Sequence, residues 1–399
     1  MRYSALVERI AGEATDAWEL HFVASVDKRK GKDVIVLTIG DPDFATPARF
    51  TEAGIAALRA GDTHYSDMEG RPKLRIAIAE RFNRGTGVAV DADNVIVTAG
   101  AQNALYAAAR CIAETGDEII ALDPTYVTYD AVIRGTGARI VQSPQPAATG
   151  FRVDLAALEH RVTPRTRAIF YASPNNPTGA TMGQDELEGI ARVAKDNDLW
   201  VIADEVYADL TFERPHISIA SLPGMTERTV TISSLSKSHA MTGWRSGWAI
   251  GPKALIHHMT NLAISMHYGL PGFIQEAAFV ALTEGDAEVV RMREIYRRRR
   301  DLMLRALTGV PGLVCHKPEA GMFMMIDVSG TGLSAKDFAW RLYETTGVAT
   351  LDAGPFGPSA KGFLRVAFTI SEAELATAAE RIRHFAEGLA AMHKASASA

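Results

Sequence analysis

The middle of the chain alternates short apolar runs with helical patterns, and each apolar run ends in a polar turn. The runs are Val95 to Thr98, Glu118 to Leu122, Ala168 to Ala172, Trp200 to Ala203 and Thr229 to Ile232. Such repeated βα units predict a mainly parallel sheet with helices on both faces. Because the carboxyl ends of parallel strands meet at one edge, we expect the turns to form a single ligand site there.

The turn after the last of these runs, Ser233 to Trp248, combines a lysine, several hydroxyls and an arginine. Lys237 lies just past the predicted strand end, where its amine can form a Schiff base. Ser234 and Arg245 offer a hydroxyl and a forked cation for a phosphate, and glycines at positions 243 and 247 allow tight turns nearby. A lysine beside a phosphate-binding turn indicates pyridoxal phosphate.

Three other interpretations of the sequence stay open, two for the lysine stretch and one for a later glycine-containing segment. The lysine stretch is compatible with a solvated basic loop. Ser234 to Lys237 also fits the Ser-x-x-Lys motif of penicillin-binding enzymes, although neither Ser-Asp-Asn nor Lys-Thr-Gly occurs in the chain. Gly330 to Ala335, with Asp352 further on, loosely matches a dinucleotide fingerprint and would predict nicotinamide binding. Against that match, a Rossmann unit needs several parallel strands, and only one clear strand follows.

Charge and cysteine content restrict the partners and the compartment. The 399 residues carry a formal net charge of -5, which favours a small-molecule partner over nucleic acid or an anionic membrane. Cys111 and Cys315 lack Cys-x-x-Cys spacing, so we expect no disulfide framework and no metal site. Met1 to Gly12 lacks the apolar core of a signal peptide, and Ala254 to Gln275 is interrupted by histidines, a glycine and a proline. The expected location is the cytoplasm.

Outside the alternating region the pattern indicates a different arrangement. The predicted elements there are one or two helices in Met1 to Lys30, a strand at Val34 to Ile39, a long helical region at Phe273 to Thr308, strands at Met322 to Val328 and Phe363 to Phe368, and a helix near Ala335 to Thr345. We therefore expect a large ligand-binding domain over residues 46–290. Residues 1–45 and 291–399 would together form a smaller α+β domain.

Four motifs, in order along the chain, carry a resemblance to a known family. They are Asn175-Asn176-Pro177-Thr178-Gly179, Asp204-Glu205-Val206-Tyr207, Ser234-x-x-Lys237 and Gly243-Trp244-Arg245. With them the chain resembles the class I/II aminotransferases, pyridoxal phosphate enzymes of fold type I, over nearly its whole length. The resemblance implies an α/β fold, with a large domain built on a mainly parallel sheet and a smaller α+β domain. It also implies ping-pong transfer of an amino group from an amino acid to a 2-oxo acid.

The resemblance further assigns residues to the cofactor, pyridoxal 5'-phosphate. Lys237 would bind it as a Schiff base and move the substrate's Cα proton, and burial and nearby cations would keep its amine neutral by lowering its pKa. Asp204 would pair with the ring nitrogen. The other implied contacts are Asn176 and Tyr207 to the phenolic oxygen, Tyr126 on the ring face, and Ser234, Arg245, the backbone amides of Ala101 and Gln102, and Tyr65 of a neighbouring subunit to the phosphate. Because Tyr65 would act across an interface, we expect a homodimer.

For the substrate, the resemblance implies that Arg365 holds the α-carboxylate, together with Gly40 and Asn176. An arginine between apolar strand residues could instead be a salt-bridged residue of the sheet. Within the family, the resemblance is greatest to transaminases that use arginine and pyruvate, in the lysine stretch, Trp18 to Phe22, Tyr296 to Leu302 and Phe356 to Ser359. L-Arginine is therefore the expected donor and pyruvate the expected acceptor. Aliphatic, aromatic or aspartate donors are the alternative, and a non-catalytic sensor domain is the alternative class.

The donor side chain is the least constrained part of this prediction. No arginine occurs from Ser246 to Val290, where dicarboxylate-specific members commonly place a second arginine. A cationic donor would instead need a carboxylate or an aromatic face near the mouth of the site. The candidate carboxylates are Glu19, Asp67, Glu69 and Asp352.

Overall fold

The computed structural model describes residues 1–11 and 18–397, and its strands form three sheets. The strands are β1 (Ile35–Val36), β2 (Val95–Thr98), β3 (Glu118–Asp123), β4 (Arg139–Pro144), β5 (Thr166–Ala172), β6 (Trp200–Asp204), β7 (Thr229–Ser234), β8 (Gly247–Ile250), β9 (Val314–His316), β10 (Phe323–Asp327), β11 (Val348–Ala349), β12 (Leu351–Asp352) and β13 (Phe363–Ala367). The largest sheet has seven strands in the order β2-β8-β7-β6-β5-β3-β4. Strand β8 is the one strand of this sheet that runs in the opposite direction to the other six. This confirms the predicted mainly parallel sheet.

Helices cover both faces of this sheet. The helices are α1 (Ala5–Arg9), α2 (Glu19–Arg29), α3 (Ala48–Arg59), α4 (Pro72–Thr86), α5 (Ala101–Ile112), α6 (Thr128–Thr136), α7 (Leu155–Arg161), α8 (Gln184–Asp196), α9 (Leu235–Ser238), α10 (Lys253–Met266), α11 (Gly272–Glu284), α12 (Asp286–Leu307), α13 (Ala335–Thr346) and α14 (Glu372–Ala397). Ile119 of β3 packs in one core with Leu105 of α5, whereas the next residue, Ile120, packs in another core with Ile190 of α8. Successive side chains of the strand thus point into cores on opposite faces of the sheet. A strand that is buried on both faces is therefore apolar along its whole length.

The smaller sheets lie outside the alternating region. Strands β12, β13, β10 and β9 form an antiparallel sheet in that order, and β1 pairs with β11 in parallel. Buried side chains of α12, α13 and α14, including Tyr296, Phe338 and Leu375, share one apolar core with strand residues of both small sheets. These observations confirm a large α/β unit accompanied by a smaller, antiparallel one. The domain boundaries at residues 46 and 290 stay a prediction.

Strand register explains how the site is assembled. Asp204 is the last residue of β6 and pairs with Ala172 at the end of β5 and with Ile232 of β7. Strand β7 ends at Ser234, immediately before the short helix α9 that carries Lys237. The polar turns therefore meet at the carboxyl ends of adjacent strands, as parallel sheets require.

Two of the predicted elements differ in extent from the observed ones. The helical region at 273–308 is interrupted at Gly285, where one helix ends and the acidic first turn of α12 begins. The predicted strand at 34–39 contracts to Ile35–Val36, because its last residues bond to the small antiparallel sheet and to the site. The N-terminal helices are α1 and α2, and residues 12–17 of that prediction lie outside the described residues.

The dinucleotide interpretation of Gly330 to Ala335 is wrong. The preceding strand, β10, pairs antiparallel with both β9 and β13, so no parallel βαβ unit exists there. Ser329–Thr331 forms a single 3-10 turn, and Ser334 caps α13 by accepting the amide hydrogen of Asp337. Within residues 1–11 and 18–397, no helix combines the length and apolar character needed to cross a membrane.

Candidate active site

A cavity of about 570 Å³ opens at the carboxyl ends of the parallel strands. Every site residue predicted from the sequence except Tyr65 contributes to its lining. These residues are Gly40, Ala101, Gln102, Tyr126, Asn176, Asp204, Tyr207, Ser234, Lys237, Arg245 and Arg365. They come from both the seven-stranded sheet and the small antiparallel sheet, so the cavity lies where the two parts of the fold meet.

Lys237 projects into this cavity from α9. Its Nζ donates a hydrogen bond to the carbonyl oxygen of Gly40 at 2.6 Å. Burial lowers the pKa of the lysine to about 8; the Asp41 carboxylate opposes this shift, and the Arg365 guanidinium adds to it. The lowered pKa gives Lys237 a larger neutral fraction near neutral pH than an ordinary lysine has, and the neutral amine is the nucleophilic form.

Asp204 is held by two donors at the end of β6. The hydroxyl of Tyr129 donates to its Oδ2 at 2.6 Å, and the amide of Val206 donates to its Oδ1 at 3.1 Å. Burial raises the pKa of this carboxyl to about 6, although the Tyr129 hydrogen bond acts in the opposite direction. A buried carboxylate oriented in this way is suited to hold a cationic partner in the cavity.

At one end of the cavity lies an anion site built on backbone and arginine. Helix α5 begins at Ala101 after Gly100, which has φ of 82°, so the first N–H groups of α5 lack partners within the helix. Arg245 donates to the carbonyls of Thr242 at 2.9 Å and of Ala99 at 3.4 Å, and forms no ion pair with an acid among the described residues. The hydroxyl of Ser234 lies on the same lining. Such a set of donors fits a phosphate group.

Arg365 is 1% exposed on β13 and is not the salt-bridged sheet residue considered above. It donates to the carbonyl of Thr38 at 2.6 Å and to Oδ1 of Asn176 at 3.1 Å, and no carboxylate of the described chain pairs with it. Burial lowers its pKa to about 10. The rings of Phe323 and Phe356 lie 4.2 and 4.7 Å from its Cζ. A buried guanidinium without an acidic partner is a site for an anion from outside the chain.

Three aromatic residues complete the predicted set. Tyr207 is buried, and desolvation raises its pKa, so its hydroxyl is protonated and available as a donor. Tyr126 lies edge-on to Tyr129 with ring centroids 6.0 Å apart. Tyr65 lies elsewhere: it is 84% exposed and packs against the tilted ring of Tyr268, with centroids 5.0 Å apart, on a separate surface depression.

Several lining residues were missed by the sequence reasoning. They are Trp18, His21, Phe22, Asp41, Tyr129, Ser236, Thr242 and Phe323. Trp18, His21 and Phe22 follow a helical i, i+3, i+4 spacing, which marks one face of α2 but not what that face contacts. None of the four carboxylates suggested for a cationic donor, Glu19, Asp67, Glu69 and Asp352, lines the cavity.

The fold and this cavity agree with a match to the family model Aminotransferase class I and II over residues 32–382. The chain belongs to this family, and it is an enzyme that transfers amino groups between small amino acids and 2-oxo acids. Members of the family depend on pyridoxal phosphate. The residues present fit that group: Arg245 and the start of α5 match its phosphate, Asp204 its ring nitrogen and Lys237 its aldehyde.

Individual relatives differ in the substrates that their names state. The chain is 49% identical to the arginine–pyruvate transaminase AruH of Pseudomonas aeruginosa, over 96% of this chain and 97% of that protein. It is 38% identical to the aspartate/prephenate aminotransferase of Thermus thermophilus, over 89% of this chain and 91% of that protein. The solved structure of aspartate aminotransferase from Thermus thermophilus with maleate matches with a TM-score of 0.91 and 36% identity, over 96% and 100% of the two chains.

Proposed function

We propose that this aminotransferase takes its amino group from L-arginine and transfers it to pyruvate. The observation that carries the proposal is the 49% identity to a transaminase named for these two substrates, over nearly the full length of both chains. The composition of the cavity supports a donor without a side-chain carboxylate. Among the described residues, the lysine and arginine side chains on the lining are Lys237, Arg245 and Arg365, and each has another role proposed below.

The cofactor-binding roles follow from the positions of the side chains. When bound, pyridoxal phosphate supplies the electron sink that makes the Cα proton of an amino acid acidic. Asp204, held by Tyr129 and Val206, would pair with the ring nitrogen and favour its protonated form. The remaining roles are assigned to Asn176 and Tyr207 at the phenolic oxygen, Tyr126 on the ring face, and Ser234, Arg245 and the amides of Ala101 and Gln102 at the phosphate.

Lys237 and Arg365 act on the substrate. Arg365 binds the α-carboxylate with its two forked nitrogens, and Asn176 and the backbone of Gly40 lie beside it on the lining. Lys237 would take the proton from the substrate's Cα with its neutral Nζ. In the second half-reaction the protonated Nζ returns a proton to Cα of the new amino acid.

The assembly and location are part of the same proposal. A homodimer with shared sites is supported by Tyr65, whose exposed ring lies away from the cavity of its own chain. The proposed domains are residues 46–290 and, as a second unit, residues 1–45 with 291–399. A cytoplasmic location is supported by Cys111 and Cys315, which are both free thiols.

A half-reaction screen tests the donor. Purified protein reconstituted with the cofactor is mixed with each common amino acid, and loss of the absorbance of the lysine-bound cofactor is followed. We expect arginine to react faster than alanine, aspartate and phenylalanine. We also expect borohydride to link the cofactor covalently to Lys237, which mass spectrometry detects. Slower conversion of arginine than of these three would overturn the donor while leaving the aminotransferase assignment in place.

The runner-up is an aminotransferase with an aspartate, aromatic or aliphatic donor. The aspartate/prephenate relative and the aspartate aminotransferase structure favour this alternative. The same screen separates the two, because aspartate would then be the fastest donor, or phenylalanine if the donor is aromatic.

A further inference from the structure

One wall of the cavity is formed by a single face of α2. Trp18 at the start of the helix, His21 and Phe22 all line the cavity. The rings of Trp18 and His21 are 5.9 Å apart, and those of His21 and Phe22 are 5.7 Å apart. Leu20 and Ala24 bury the neighbouring face of the helix in the small-sheet core, which fixes the orientation of this wall. Phe22 is 60% exposed, as a residue at the mouth of a cavity would be.

This wall adjoins the residues that bind the substrate carboxylate. The ring of Trp18 lies 5.6 Å from Cζ of Arg365. Nδ1 of His21 lies 2.6 Å from Oγ1 of Thr38, whose carbonyl accepts a hydrogen bond from Arg365. An amino acid whose carboxylate is bound at Arg365 therefore has the α2 wall within reach of its side chain.

The carboxylates of the cavity are poorly placed to bind a donor guanidinium. Among the described residues, the acids on the lining are Asp41 and Asp204. Asp204 is buried and accepts from Tyr129 and Val206. Asp41 accepts from the hydroxyl of Thr242 at 2.8 Å, and the carbonyl of Thr242 accepts from Arg245. Asp41 thus lies near Thr242 and Lys237, whereas the α2 wall adjoins Arg365.

We propose that the aromatic face of α2, Trp18, His21 and Phe22, binds the guanidinium of the donor by cation–π stacking, in place of a carboxylate. This subsite rests on the proposed arginine donor. A planar cation over an aromatic ring is attracted by the negative face of the ring, and the attraction strengthens as water is excluded. Burial and the Arg365 charge lower the pKa of His21, so the imidazole is neutral near neutral pH and does not repel the guanidinium.

The test compares arginine with its uncharged planar analogue, L-citrulline, in the holoenzyme. Phe22→Leu keeps an apolar side chain but removes the π face, whereas Phe22→Tyr keeps the ring. Val23→Ala, one residue further on α2 and off the cavity, is the matched control. The measured quantity is the ratio of kcat/KM for arginine to kcat/KM for citrulline, with the bound cofactor quantified by absorbance.

We expect the ratio to fall about three- to tenfold in Phe22→Leu and to stay at the wild-type value in Phe22→Tyr and Val23→Ala. An unchanged ratio in Phe22→Leu overturns the subsite, as does an equal fall in Val23→Ala. A fall in Asp41→Asn without one in Phe22→Leu identifies a carboxylate instead and also overturns it. If the unmutated holoenzyme converts alanine but not arginine, the donor proposal fails, and the subsite fails with it.

Discussion

The buried carboxyl of Asp204 is expected to destabilise the cofactor-free fold, and replacing it by asparagine should show this directly. Asp204→Asn keeps the shape of the side chain and removes its charge. The amide oxygen can accept from the N–H of Val206, and the amide nitrogen can donate to the oxygen of Tyr129, whose own proton then loses the acceptor that Asp204 provides. The substitution therefore removes the ionised group but costs the Tyr129 hydroxyl its acceptor, so the gain in stability is smaller than the full cost of the charge.

The size of the effect follows from the pKa of Asp204. The folded chain raises this pKa from 3.8 to about 6, so between these values the folded state holds a proton that the unfolded state has released. Stability is consequently lost as the pH rises through that window. Each unit corresponds to about 1.4 kcal/mol, so the ionised carboxyl costs the cofactor-free protein about 3 kcal/mol near pH 8 and about half of that near pH 5.

Urea unfolding of the cofactor-free protein, followed by tryptophan fluorescence at both pH values, measures this cost. Asp204→Asn should raise the free energy of unfolding, by more near pH 8 than near pH 5, while the reconstituted variant loses transamination. Asp185→Asn, an exposed carboxylate of α8, serves as the control and should change little at either pH. A gain that does not depend on pH, or a loss of stability near pH 8, would refute the reasoning.

Two further experiments test the remaining roles. Arg365→Lys should lower kcat/KM about 10- to 100-fold, mainly through a higher KM for the amino acid, because a lysine cannot form the second charge-assisted hydrogen bond. If the variant also loses the absorbance of the bound cofactor, the role of Arg365 is not limited to the substrate. Mixing Lys237→Ala with Tyr65→Phe protein should produce hybrid dimers with one unmutated site and activity above either parent. Hybrids that form without activity above either parent would show that the site is not shared.

The parts of the site that could be predicted are those that lie at strand ends. Asp204, Ser234 and Lys237 follow apolar runs that can only be buried strands, so their meeting at one edge follows from the geometry of a parallel sheet. Arg365 and Tyr65 came instead from the family resemblance. Nothing in the local pattern of either residue distinguishes a ligand-binding role from packing.

The contact of Tyr129 with Asp204 could not be predicted from strand ends. Tyr129 lies inside α6, 75 positions before its partner Asp204, and reads as an ordinary core aromatic because it stacks on Phe170 at 4.4 Å. Strands β11 and β12 were missed for a different reason. Each has only two residues, too few for an alternating pattern, and each depends on partner strands distant in the sequence.

The arginine proposed to bind the carboxylate and the lysine proposed to bind the cofactor are positioned by different sheets. Arg365 is held by the four-stranded antiparallel sheet, whereas Lys237 and Asp204 follow strands of the seven-stranded sheet. The yellow colour of the bound cofactor thus reports on the seven-stranded sheet, and the affinity for substrate reports on the four-stranded sheet. During gradual denaturation, a protein that stays yellow but no longer responds to amino acids has lost the smaller sheet first. A protein that bleaches while still binding a carboxylate analogue has unfolded in the opposite order.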